Sequence, residues 1–154
     1  MNSLRLLCQK AAALALLLTL TAPASAQLRT PAASPHSLLK QTVGLTEVEI
    51  EYSRPSKKGR EIFGGLVPFG EIWRTGANQP TKITFSDDVK LGGQPVPAGT
   101  YALYTIPGKD EWTIIVYKST ELWGAFGYDK SNDLARFTAK PNEIGIEVES
   151  FTIG

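Results

Sequence analysis

From Thr81 to Lys140 the sequence divides into short runs rich in β-branched and aromatic residues, each closed by glycine, proline or aspartate. The runs are Thr81 to Ser86 (TKITFS), Val89 to Leu91, Gln94 to Val96, Gly99 to Ile106 (GTYALYTI), Trp112 to Lys118 (WTIIVYK) and Leu134 to Lys140 (LARFTAK). Such composition with tight connections selects short antiparallel strands. Gly92-Gly93 joins one hairpin and Pro107 to Glu111 another, whose arms are apolar on both faces and so belong at the centre of a sheet. Upstream, Leu45 to Ser53 alternates Val48, Ile50 and Tyr52 with Glu47, Glu49 and Glu51, and at the end of the chain Ile144 to Ile153 alternates again. No helical period follows residue 27. The expectation is an all-β domain: an antiparallel β-sandwich or open barrel with one long irregular glycine-rich loop.

The start of the chain reads as something else. Residues 1–26 combine basic Arg5 and Lys10, an apolar stretch from Ala11 to Leu20 and the small residues Ala24, Ser25 and Ala26. That is the pattern of a secretory signal peptide cleaved after Ala26, and the apolar stretch is shorter than the roughly 20 residues needed to span a bilayer. Cys8, which precedes the apolar stretch and follows Leu6 and Leu7, belongs to this leader and is no lipid anchor. Cleavage would leave 128 residues with 14 basic and 15 acidic side chains and no thiol. Such a chain is periplasmic or secreted, has no transmembrane segment, and is neither a polybasic nucleic-acid binder nor a disulfide-stapled scaffold. Residues 27–35 (QLRTPAASP) read as a flexible tether, and residues 36–154 as a single β-rich domain.

Catalytic patterns are sparse. His36, the only histidine, stands where the tether meets the first strand, with no second histidine to share a metal and no rigid setting for a Ser-His-Asp triad. Asp129, Ser131 and Asp133 open like a calcium loop, but Leu134 stands where that loop needs glycine and Lys140 where it needs a bidentate acid, so a polar turn is expected. Asp87-Asp88 also reads as a turn. No catalytic residue, metal site or cofactor is assigned. The stripe Glu47, Glu49, Glu51 reads as a solvated strand face, with the basic run Arg54, Lys57, Lys58 and Arg60 as its expected opposite, or as an anion or peptide site.

Between Arg54 and Pro80 the periodicity fails for 27 residues containing five glycines and three prolines. This is long for a loop in a compact domain, and its Ile62, Phe63, Leu66, Val67, Phe69, Ile72 and Trp73 argue against disorder. Trp73, Arg74, Thr75 and Asn78 compress an aromatic ring, a guanidinium, a hydroxyl and an amide around Gly76, a set suited to recognition; the competing role is packing, with Trp73 plugging the core and Arg74 paired to a strand glutamate such as Glu51. With Arg54, Arg60, Trp112 and Trp123 these are the candidate ligand-binding residues. Trp112, Tyr117, Trp123, Phe126 and Tyr128 offer flat faces for sugars but fit a small core better.

The run YSRPSKKGREIFGGLVPFGEIWRTGAN (Tyr52 to Asn78), then ITFS, VPAGTYALYTIPGKDEWT and WGAF, closely resembles the bacterial exported family catalogued as domain of unknown function 2911. The similarity covers roughly His36 to Ile153. It implies an extracytoplasmic β-rich domain and carries over no activity and no catalytic residue. Members of that family generally continue beyond the strand matching Val148 to Ile153, so a weak homodimer through a C-terminal edge strand is expected here. The functional expectation is a noncatalytic ligand-binding or interaction module of the bacterial cell envelope, with a small molecule, a glycan or an envelope protein as ligand; the alternative is an envelope hydrolase using carboxylate and arginine chemistry on a glycan or ester.

Overall fold

The computed structural model describes residues 30–154; the expected signal peptide, residues 1–26, and the first three residues of the expected tether lie outside the described residues. Eight strands form two antiparallel sheets: β1 (His36–Val43), β2 (Thr46–Ser53), β3 (Thr81–Phe85), β4 (Val89–Leu91), β5 (Gln94–Val96), β6 (Gly99–Ile106), β7 (Trp112–Tyr117) and β8 (Asp133–Ala139). The large sheet runs β1-β2-β3-β6-β7-β8, and β4-β5 is a separate hairpin. Both outer strands of the large sheet, β1 and β8, have one partner in it, so it is not closed into a barrel.

Strand alternation divides the interior into two layers. On one face Ile83, Phe85, Val96, Val116 and Ala135 are buried, with Val48, Ile50, Val89, Leu91, Tyr101, Leu103 and Leu134 packed around them. The β4-β5 hairpin closes this face, held to β8 by Gln94, whose amide donates to the Arg136 carbonyl and whose Oε1 accepts the Arg136 N–H at 3.2 Å. Gly92 in its turn is required by both criteria: φ is 57°, and a Cβ there would stand 2.1 Å from the Phe137 ring. On the other face Ala102, Tyr104, Ile115 and Tyr117 are buried beneath Ile72, Leu122, Ala125 and Tyr128. Irregular segments supply that cover.

Two strand expectations need correction. His36, expected at the junction before a first strand at residues 45–53, instead opens β1 at residues 36–43, which pairs with β2 along its whole length. Residues 144–153, expected as a strand, form none. Their single bridge is Ser56 to Ser150, and they run as a strap along residues 54–58. The strap is fastened by Arg54, whose Nε donates to the Phe151 carbonyl (3.0 Å) and Nη2 to Thr152 Oγ1 (2.8 Å), and by Phe151 N–H to the Pro55 carbonyl (2.9 Å). The C-terminal edge strand on which the expected homodimer depended is therefore absent; the open sheet edges are β1 and β8.

The turn at Asp129 forms as a polar one. Asp129 caps a 3₁₀ turn at Lys130–Asn132, accepting the Ser131 N–H (3.0 Å) and hydroxyl (2.8 Å), bonds that hold its carboxyl below the usual range.

Candidate functional site

The 54–80 segment meets the large sheet in one β-bridge. Trp73 and Thr105 exchange both backbone hydrogen bonds (2.7 and 2.9 Å), so Trp73 extends the β3 side of the ladder along β6. From there the chain leaves the sheet and returns at Thr81, whose N–H donates to the Arg74 carbonyl (3.1 Å). The excursion is tightly held: the buried hydroxyls of Thr75 and Thr105 are 3.0 Å apart, and Thr81 Oγ1 donates to the Thr75 carbonyl. It is also strained. Thr75, β-branched, has φ 54°, Asn78 has φ 61°, and at Gly76 (φ 154°) a Cβ would lie 3.1 Å from the Ser53 carbonyl oxygen. Such conformations persist only where surroundings over-determine them, which is common beside functional sites.

Because partners in a ladder share a face, Trp73 projects with Thr105 toward the layer of Leu103, and its neighbour Arg74 projects the other way, toward Tyr104. The two residues that sequence grouping places together are thus separated by the backbone. Arg74 borders the groove described next, but its guanidinium runs beneath the 122–128 loop, with Nη1 3.3 Å from where a Cβ on Gly124 would be. Its Nε is buried without a hydrogen-bond partner, and it forms no ion pair among the described residues; the expected pairing with Glu51 is not made. Burial first, then neighbouring Tyr117, pushes the Tyr104 hydroxyl up to about 12, with the Arg74 charge pulling the other way. Tyr128, hydrogen-bonded to Asp133 (2.6 Å), is raised to about 12 by burial first and by that bond second.

Two cavities flank the excursion. The larger is a groove of about 1290 Å³ on the Trp73 face, bounded by the 54–80 segment and the C-terminal strap. Its floor is an edge-to-face aromatic cluster: Phe63 to Trp112 at 4.7 Å between centroids, Phe63 to Trp73 at 5.6 Å and Trp73 to Phe151 at 5.2 Å. Phe63, Leu66, Ile144 and Val148 line it while remaining 37%, 58%, 68% and 47% exposed. Its charges are unbalanced, with Lys57, Lys58 and Arg60 against Glu149, the Arg74 guanidinium being turned to the opposite face. Lys57 is committed to Glu147 (2.6 Å), a hydrogen bond that holds the Glu147 carboxyl below its usual range; Arg60 donates to the Ser56 and Lys57 carbonyls, and Lys58 forms no ion pair among the described residues.

The smaller cavity, about 280 Å³, lies on the Glu51 face at the β1-β2-β3 end, lined by His36, Glu51, Ser53, Asn78, Lys82 and Trp123 among others. His36 Nε2 and Glu51 Oε1 are 3.0 Å apart. His36, expected as a junction residue, instead stands opposite Ser53, a place visible in the sequence only once β1 is recognised as a strand.

The eight candidate residues thus separate. Arg60, Trp73, Arg74, Asn78 and Trp112 line the groove; Asn78 also borders the small cavity, together with Trp123; Thr75 is buried at the start of the excursion; Arg54 spends its guanidinium on the strap. The expected opposition of the acidic stripe to the basic run is not observed. Glu47 and Glu49 pair with Lys40, and Glu51 with His36, all from β1, whereas Lys57 and Lys58 meet Glu147 and Glu149 of the strap. Each cavity is lined by one carboxylate, Glu149 or Glu51, so neither has the facing pair used in glycoside hydrolysis. No group of three or more metal-ligating side chains occurs among the described residues.

The family model described as protein of unknown function (DUF2911) matches residues 34–154, and the chain belongs to that family. No curated protein and no solved structure matches the chain.

Proposed function

We propose that this member of the DUF2911 family is an exported, noncatalytic binding module of the cell envelope whose groove takes a ligand with an extended apolar body and an anionic end. The observation that carries it is the concentration of exposed apolar side chains, Phe63, Leu66, Ile144 and Val148, in one groove floored by Trp73 and Trp112. Leaving that surface wet costs about 25 cal/mol per Å², which a ligand covering it would recover. The excess of lysine and arginine at the rim favours a carboxylate or similar anion at one end. The groove exceeds the usual small-ligand range of roughly 300–1,000 Å³, as an elongated ligand requires. Export rests on the leader pattern of residues 1–26.

The test uses laurate as probe, with anilinonaphthalene sulfonate as fluorescent reporter. Saturable reporter binding to the natively folded protein, displaced by laurate and more weakly by dodecanol, is expected. Phe63→Ala should weaken laurate binding, and Lys58→Ala should narrow the preference for laurate over dodecanol. A folded protein that binds neither reporter nor laurate sinks the reading. For export, the full chain bearing a C-terminal tag should accumulate outside the cytoplasm with Gln27 as its first residue; an unprocessed cytoplasmic product would overturn it.

A further inference from the structure

We propose that the small cavity on the Glu51 face binds a sugar ring. This goes beyond the groove reading, rests on residues that, Asn78 apart, do not line the groove, and lies on the other face of the sheet. The register builds its wall: Glu51 pairs across β2-β3 with Lys82, and His36 pairs across β1-β2 with Ser53, so alternation brings all four side chains to one face. The excursion adds Asn78, whose αL backbone (φ 61°) turns its amide toward Ser53, donating to Ser53 Oγ at 3.2 Å. The 122–128 loop adds Trp123, an indole left 63% exposed at the cavity.

The mixture of charges selects the ligand class. An anion would meet the Glu51 carboxylate and a cation the Lys82 ammonium, which forms no ion pair among the described residues. A neutral polyol satisfies both, because each hydroxyl donates and accepts: adjacent hydroxyls can donate to the two Glu51 oxygens while accepting from Lys82 or Asn78. A pyranose also offers a flat C–H face to the electron-rich face of an indole, which the exposed Trp123 ring presents beside these polar groups. At about 280 Å³ the cavity is at the small end of ligand sites, suited to a single ring. The ring can be a free sugar or the end of a glycan.

The experiment titrates the folded protein with glucose, N-acetylglucosamine and N-acetylglucosamine oligomers, following the Trp123 indole and His36 imidazole signals by NMR. Saturable shifts at both residues are expected with at least one probe; binding of monosaccharides indicates a free sugar, and binding of oligomers alone the end of a glycan. Trp123→Ala, an exposed change that spares the core, should weaken binding about tenfold, the loss of one stacking face. Glu51→Gln should weaken it as well, and Leu45→Ala, a fully exposed change that borders neither cavity, should leave it within about twofold. The proposal is overturned by the absence of saturable shifts with every probe, by binding undiminished in Trp123→Ala, or by binding lost in Leu45→Ala.

Discussion

The groove and the small cavity share Asn78 and little else. One is large, apolar and rimmed with excess positive charge; the other is small, polar and mixed in charge. Both are shaped by the excursion from Thr75 to Pro80, which leaves the sheet between Trp73 and Thr81. The difference comes from how each wall is made. The polar cavity is built mainly on paired strands, where register places each side chain, whereas the groove lies between two irregular segments held together by Arg54, Lys57 and a few backbone bonds. A site between irregular segments can be opened without unfolding the sheet; a site on paired strands cannot.

The most damaging way to test this is at the shared element. Gly76→Ala forces a side chain into φ 154° and against the Ser53 carbonyl, and should lower stability by roughly 1–3 kcal/mol. Urea denaturation measures it, and an unchanged midpoint would mean that the excursion relaxes freely.

Alkaline pH probes the layer beneath the 122–128 loop. Tyr104 stays neutral in the fold up to about 12 but ionises near 10.0 when unfolded, so stability is intact below the unfolded value and falls as pH rises between the two. One such group contributes a slope of up to about 1.4 kcal/mol per pH unit. In Tyr104→Phe that part of the slope should vanish; an unchanged slope would assign the alkaline loss to other groups.

Arg54→Ala separates the two cavities. It removes the bonds to Phe151 and Thr152 and should cost about 1.5 kcal/mol, with faster hydrogen exchange at the Phe151 and Ile153 amides. Laurate binding should weaken while the His36 and Trp123 signals stay in place. If those two move as well, the cavities are not independent.

The smallest effect is expected from acid. The Glu147 carboxyl is held below its ordinary 4.5 by Lys57, so its contribution is present above that value and is lost as pH falls through the lower folded value. Strap amides of residues 144–149 should shift over that range, and Glu147→Gln should abolish the shift. Both side chains are partly in water, so the change in melting temperature should be slight.

Much of the sheet is legible residue by residue. Val89–Leu91, Gln94–Val96 and Gly99–Ile106 form as their composition and turns predict, because each hairpin is specified by adjacent residues. β1 is not legible: Leu38 and Val43 remain exposed, so its apolar pattern is weak and its strand character comes from pairing with β2. The 144–153 segment misleads in the opposite direction. Its alternating Ile144, Ile146 and Val148 suits a strand, but an extended strap along a groove has the same period, and only hydrogen-bond partners distinguish them. The Trp73 cluster was visible as a concentration of functional groups, yet its division between two faces was not.

By itself the sequence determined the all-β character, the hairpins and the position of a long glycine-rich segment, since propensity, alternation and turn chemistry act over a few residues. Tertiary structure decided that Trp73 meets Thr105, that Arg54 clasps the strap and that His36 meets Glu51. Those pairings join residues far apart in the chain, and alternation then assigns each neighbouring side chain to a face that local pattern leaves open.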